Sequence, residues 1–453
     1  MPEKRMLILI TNSFAALNVV HSGLLRQLCR KYNIYLMSDL IGKEDISNFC
    51  KTYFLKAAID PCEFPDENSL LRILRRLEKL LFLVYNDIET FQVKYGSYLL
   101  TKPVFRFARL LRHNTWLAAV LVILRKLIIW YALYIDAGKL RWACKYDLVI
   151  STSPLDSREN RVVNFLKTKK VKSVALVISW DNLSTKGVMN AEHDNIFVWN
   201  HIMAAEYRRF YKLFDGRTII RITGIPRFDL HKSKQFAAHD FQVKYRQQLG
   251  VANERILLFA TSPGRHVPDQ QHYLQDLLDY AETKTDIIVL LRCHPADYFD
   301  YSGSYKKDPN LRIWGNYNSE AIDHPFGKWL PAADFLYNLS AMLHSCAVCL
   351  HIASTLRLDA AACHKPVINI AYDPTFQPYH SSIRRYYDYT HQLPLNKSNI
   401  GTTVYSKTEL YHALDTMLTG TEQTDPDAVR PFVAGGKGNA VERTLYYISQ
   451  CMH

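Results

Sequence analysis

Short apolar runs, each stopping abruptly in polar residues, recur along this 453-residue chain and constrain its fold more than any other feature. Met6-Leu-Ile-Leu-Ile10, Asp147-Leu-Val-Ile150, Ser173-Val-Ala-Leu-Val-Ile178, Asn195-Ile-Phe-Val-Trp199 and Arg217-Thr-Ile-Ile-Arg-Ile222 alternate with helical patterns. A polar stretch at 231–240 follows. The pattern then restarts with Arg255-Ile-Leu-Leu-Phe-Ala260 and continues through apolar runs at 287–291, 311–314, 348–352 and 366–370. Continuous apolar runs suit strands buried on both faces of a parallel sheet, and helical segments between them supply the crossovers. One core seldom organises more than roughly 250–300 residues, so two doubly wound α/β domains are predicted. The first spans 1–230 and the second 231–430, with a tail and helix at 431–453 placed to pack back on the first.

Hydrophobic residues make up 48% of the chain and charged residues 22%, the balance of a folded globular protein. The formal net charge is +13 and is unevenly placed: residues 70–141 hold 13 Lys and Arg against 4 Asp and Glu, a net +9. Two helical patterns lie there, at 71–81 and 116–134. Arg125 and Lys126 interrupt the second, and each central charge costs about 2.5–3.5 kcal/mol on insertion into a bilayer. A membrane span is therefore not expected. A basic helical insert of this kind suits the anionic surface of a cytoplasmic membrane or an anionic, lipid-linked acceptor, whereas the plainer reading makes it domain core. Met1-Pro-Glu-Lys-Arg5 leads into only a short apolar run without a cleavage pattern, and nine cysteines lack paired spacing. A cytoplasmic protein, peripheral on the inner membrane face, is the expectation.

Chemistry concentrates where the apolar runs end. Val177-Ile-Ser-Trp-Asp-Asn-Leu-Ser-Thr-Lys-Gly187 passes from a strand into hydroxyl, amide, carboxylate and ammonium groups. Asp181 is the first candidate for general base, with Trp180 and Asn182 beside it to shield the carboxylate and Lys186 to balance its charge. His21 is the second candidate, and Asn12 and Arg227 join Trp180, Asn182 and Lys186 as acceptor contacts. In the second half, Ser262-Pro-Gly264 lies between a strand and a helix, where backbone N–H groups hold a phosphate. Arg292-Cys-His-Pro295 brings a fixed charge and an imidazole to a strand exit. Ser354 and Thr355 open a helix, and Asp359, one turn on, is positioned to accept hydrogen bonds from ribose hydroxyls. The plainer reading of these residues is turn, cap and surface.

Together, the two Rossmann-like halves, the His294-Pro295 exit, Ser354-Thr355 with Asp359, and Lys365-Pro-Val-Ile368 resemble the GT-B glycosyltransferases. The nearest likeness is to the bacterial surface-polysaccharide branch that includes CDP-glycerol glycerophosphotransferases and capsule transferases. Ser179–Gly187, Gly224-Ile-Pro-Arg-Phe-Asp229 and Gly436-Lys-Gly-Asn-Ala-Val-Glu-Arg443 also resemble that group, whereas 70–141 falls outside it. The resemblance implies a CDP-, UDP-, GDP- or CMP-linked donor held by the C-terminal half. It also implies a glycan or lipid-linked acceptor held by the N-terminal half, and transfer across a cleft without an obligatory metal or other cofactor. His294, Arg292, Lys186, Ser354 and Thr355 would then neutralise a leaving diphosphate. In agreement, the only Asp-x-Asp, Asp425-Pro-Asp427, lies in a turn-like acidic stretch and no metal-ligand spacing is present. Two rivals remain: a nucleotide-sugar 2-epimerase of the same two-domain plan, for which the basic insert has no use, and a nucleic-acid-binding protein, for which aromatic readout motifs are missing.

Overall fold

A computed structural model describes residues 4–95, 110–214, 216–297, 299–305, 307–314, 330–420, 425–433, 435–436 and 438–452. The chain divides into two compact units, Met1–Asp229 with Gly327–Ala333 and Pro431–His453, and Leu230–Phe326 with Asp334–Arg430.

The first unit is built on β1 (Arg5–Ile10), β2 (Asn33–Ser38), β3 (Ala57–Ile59), β4 (Leu148–Ser151), β5 (Lys172–Leu176), β6 (Asn195–Val198) and β7 (Ile219–Ile222). Their order is β3-β2-β1-β4-β5-β6-β7, and every pair is parallel. The second unit carries β8 (Arg255–Ala260), β9 (Ile287–Arg292), β10 (Leu311–Trp314), β11 (Val348–His351), β12 (Val367–Ile370) and β13 (Thr402–Val404), ordered β10-β9-β8-β11-β12-β13 and again all parallel. Strand order reverses between β1 and β4 in one sheet and between β8 and β11 in the other, which marks the carboxyl edges there as places for ligands.

Continuous apolar strands arise because both sheet faces are covered. Met6, Ile8 and Ile10 enter one core while Leu7 and Leu9 enter another. In β8, Leu257 and Phe259 face one layer and Ile256, Leu258 and Ala260 the opposite one. Each such side chain contributes roughly 1.5–3 kcal/mol on burial.

The helix Ala440–Cys451 belongs to the first unit, with Ile448, Cys451 and Met452 in the core beneath β1. Its first N–H groups, from Ala440 and Val441, donate to the Asp229 carboxylate at 2.8 Å each. Arg443 Nε donates to Thr223 O at 2.9 Å. Gly224 has φ 81°, and a Cβ on Gly435 would collide with the Gly224 backbone. The 224–229 and 436–443 motifs thus hold each other.

Between β3 and β4 lie the helices Ser69–Tyr85 and Thr115–Asp136, opened by Asn68 and Asn114 side chains that accept from Leu71 N and Trp116 N. Arg125, counted from the sequence among surface charges, is buried. Its Nε donates to Glu78 at 2.8 Å, its guanidinium also reaches Met189 O, and it lies 3.4 Å over the Phe214 ring. Asn190 completes the cluster by donating to both Glu78 oxygens at 3.0 and 2.9 Å. At the helix end, buried Asp136 pairs with Arg161, whose Nε donates at 2.8 Å.

Candidate functional site

At the carboxyl edge of the first sheet, β1 runs into Thr11-Asn12 and β4 into Thr152-Ser153. Both exits converge on Glu159, which accepts from Thr11 Oγ1 and Ser151 Oγ at 2.7 Å and from Ser153 N at 2.9 Å. Complete burial pushes its carboxyl up to about 8, with the Asp156 charge adding to the rise and these three donors opposing it. Asn12, expected as an acceptor contact, donates to Ser153 Oγ and caps a helical turn through Ala15 N at 3.0 Å.

Beyond β5 the chain turns at 179–182. Ser179 N donates to Asn182 Oδ1 at 3.0 Å, and Ser179 Oγ to Asp181 Oδ1 at 2.6 Å. Lys186 Nζ pairs with the same Asp181 oxygen at 3.0 Å. Half the Lys186 side chain is exposed, and part of the Asp181 carboxylate reaches solvent. Trp180 is 1% exposed, stacked on Trp199 and edge-on to Phe432. Buried Arg227 lies 5.4 Å over Trp199 and 5.0 Å over Phe228. Asn12, Trp180, Asn182 and Arg227, expected as acceptor contacts, are each engaged within the protein: Asn12 at the β1 exit, Asn182 in the turn after β5, and Trp180 and Arg227 in the aromatic cluster behind it. Asp181 and Lys186 remain presented at the edge. His21 is partnered by Tyr53, whose hydroxyl is 3.1 Å from Nε2. It ends a π-helical turn, Leu17–His21, that the sequence pattern had not announced.

Sequence reading missed Glu206, on the helix His201–Phe210. Burial raises its carboxyl to about 8, and the charges of Glu89 and Asp181 add to the rise. A carboxyl of raised pKa thus lies within electrostatic range of the ion-paired Asp181. Nothing in the local sequence marks it, because its burial is entirely tertiary.

The second sheet presents a different edge. Gln270 clamps the turn after β8, accepting from Ser262 N and donating to Ser262 O, each at 2.7 Å. Ser262 Oγ donates to Ile352 O at 3.1 Å, and Gly264 N to Ala296 O at 2.9 Å. Those N–H groups were the expected phosphate cradle, and they are taken by the protein itself. Cationic side chains gather at this edge. Arg292, at the end of β9, lies 5.6 and 5.5 Å from the Trp314 and Phe335 rings. His294 N donates to Thr261 Oγ1 at 2.7 Å, and Ala296 N donates to His294 Nδ1 at 3.0 Å. Nδ1 is therefore the unprotonated nitrogen, and Nε2 carries the hydrogen. Burial, together with the charges of Arg292, Arg265 and His266, lowers His294 to about 3, so the ring is neutral at ordinary pH. It acts as a donor, not as a charge. Arg265 and His266 were not singled out from the sequence, although they follow directly on Ser262-Pro-Gly264.

After β11, Ser354 N donates to His351 Nδ1 at 3.2 Å, and Ser354 Oγ accepts from Leu356 N at 3.2 Å. Ala353 takes φ 44°, fixed by its N–H to Tyr387 Oη at 2.9 Å. Ser354 and Thr355 thus stand at the exit as expected. Asp359 was the carboxylate expected at a ribose. It is 3% exposed and bonds His231 Nε2 at 2.9 Å, while His231 Nδ1 meets Ser340 Oγ at 2.8 Å. A helix of 3.6 residues per turn that packs on the sheet turns that position inward. The 384–389 loop approaches the same edge: Tyr386 Oη donates to His266 O at 3.2 Å. A cavity of about 700 Å³ opens beside β13, lined by Arg357, Tyr379, Arg384, Asp388 and Tyr405 among others. Asp425, of the Asp-x-Asp, accepts from Asp427 N at 2.9 Å in a helix-opening turn.

No protein-family model matches this sequence. No curated protein matches it either. Solved structures do. A UDP-N-acetylglucosamine 2-epimerase from Methanocaldococcus jannaschii, in complex with UDP-GlcNAc and UDP, aligns over 98% of this chain and 99% of its own, with TM-score 0.54 and 12% identity. The fold is that of the GT-B enzymes. A putative UDP-N-acetylglucosamine 2-epimerase from Listeria monocytogenes aligns over 99% and 97% at TM-score 0.55 and 11% identity. The wall teichoic acid polymerase TagF aligns over 100% and 89% at TM-score 0.52 and 12% identity. At such identities the likeness speaks for the fold alone.

Proposed function

We propose that this chain is a GT-B transferase. It moves a sugar, or glycerol phosphate as in the CDP-glycerol branch, from a nucleotide-activated donor to a surface-glycan or lipid-linked acceptor. The observation that carries the reading is the outward edge of the second sheet, where Arg292, Arg265 and the neutral His294 gather beside the β8–β11 reversal. Guanidinium groups supply fixed charge for a diphosphate, and an imidazole N–H adds a directed hydrogen bond that keeps its form across ordinary pH. Ser354 and Thr355 extend that edge. In the first unit Asp181, oriented by Ser179 and Lys186, is the base for an acceptor hydroxyl, with Glu206 as a protonated neighbour.

Thermal shift against CDP-, UDP-, GDP- and CMP-linked compounds tests this reading. One class should raise Tm, because a ligand at 100 times its Kd stabilises by about 2.7 kcal/mol. No shift with any of them removes the donor site. A second reading, a nucleotide-sugar 2-epimerase, is supported by Glu206 near Asp181, since an acid and a carboxylate near one another also serve proton transfer at carbon. Incubation with donor alone separates the two. An epimerase changes it without acceptor, whereas a transferase leaves the sugar unaltered.

A further inference from the structure

Ten of the eighteen large apolar side chains exposed among the described residues fall between positions 70 and 134. On the helix Thr115–Asp136 they form one stripe: Trp116, Ile123, Leu127, Trp130 and Tyr134 are 53–70% exposed, while Leu117, Leu121, Ile128 and Ala132 on the opposite side are buried. At 1.5 Å per residue the stripe runs roughly 27 Å, with aromatic rings at both ends. The helix Ser69–Tyr85 repeats the design, exposing Leu70, Ile73, Leu77 and Leu80 with Arg72 and Arg76 alongside. Lys126 is exposed beside Leu127.

We propose that this helical pair is a docking face for an anionic lipid bilayer, on which the protein lies flat. The proposal does not rest on the transferase reading. The occupant follows from three observations. An apolar stripe edged by arginine and lysine matches the boundary between acyl chains and acidic headgroups, and indole and phenol rings favour that depth. Insertion across the bilayer would tear out two buried pairs, Arg125 with Glu78 and Asp136 with Arg161, although Thr115–Asp136 is long and apolar enough to span. A second copy of the chain would set Arg72, Arg76 and Lys126 against their own counterparts, whereas acidic lipid neutralises them.

Flotation of the full chain with phosphatidylcholine vesicles, with or without phosphatidylglycerol, tests the proposal. The parent should bind the acidic vesicles and release them as salt rises. The exposed-face variant Ile123→Ser/Leu127→Ser/Trp130→Ser should lose about 100-fold or more in vesicle affinity, since three apolar side chains no longer leave water. Arg72→Gln/Arg76→Gln/Lys126→Gln should lose about tenfold or more on acidic vesicles alone. Circular dichroism should show both variants folded. Equal flotation of parent and triple-serine variant overturns the proposal. So does a parent that stays unbound, whether sedimentation velocity finds it monomeric or finds a dimer that the serine variant abolishes.

Discussion

The carboxyl edges of the two sheets use similar residues for different ends. In the first, Thr11, Asn12, Ser151, Ser153 and Glu159 bond one another, and Trp180 and Arg227 sink into an aromatic cluster, whereas Asp181 and Lys186 keep contact with solvent. In the second, Ser262, Gly264 and Gln270 tie the turns together, and beside them Arg265, Arg292 and His294 gather within electrostatic range of one another. A polar cluster at a strand exit is thus part scaffold and part surface. Buried polar groups must be satisfied, so most of its members are committed to the protein before any ligand arrives.

Three changes break or sharpen this contrast. The largest effect is expected from Asp181→Asn, which keeps shape but removes the base. Turnover should fall by about 10²–10⁴-fold with donor affinity and Tm nearly unchanged. Parental turnover would place Asp181 with its neighbours in the scaffold.

Next comes a matched pair in the second unit. Arg292→Ala should weaken donor binding by about 1.5–3 kcal/mol, the loss of hydrogen bonds to a charged group. Asp359→Ala should leave donor affinity intact and instead lower stability by about 1–3 kcal/mol, because His231 loses its buried partner. Isothermal titration alongside thermal unfolding reads both. A weakened donor in the Asp359 variant would restore that carboxylate to the binding edge.

The smallest expected effect is none. With His294 lowered to about 3, donor affinity should show no inflection from this ring between pH 5 and 8. Folding should show one. His193, His294 and His351 are each lowered to about 3 from 6.5, so the unfolded chain binds their protons more readily. Stability that is fully present above about pH 6.5 is then lost as pH falls, by up to roughly 1.4 kcal/mol per unit for each ring. A donor affinity that rises on acidification would mean that His294 titrates as imidazolium.

Strands such as Met6–Ile10 and Arg255–Ala260 were legible because apolar continuity reports burial on both faces. Ala57–Ile59 and Thr402–Val404 were not, being edge strands paired on one side and, at three residues each, too short to show a pattern. At the candidate sites, Asp181, Arg292 and His294 were singled out from strand exits, and each stands at one. The inward turn of Asp359 could not, because its partner His231 lies 128 positions away. Glu206 was hidden for the same reason: a helix residue acquires an altered acidity only once its surroundings close over it. Arg125 looked solvated because its counter-charge, Glu78, belongs to another helix.

The last helix has a consequence for how the protein is made. Ile448, Cys451 and Met452 fill the core under β1, yet the whole second unit is synthesised between those two halves of one hydrophobic layer. Domains emerging from a ribosome generally fold in the order of their appearance. Here the inserted unit can finish first, while the first unit waits, its apolar underside open, until the helix Ala440–Cys451 has been made. The residues of β1 are therefore sealed only after the second unit has been made, and the interval is a natural occasion for a chaperone.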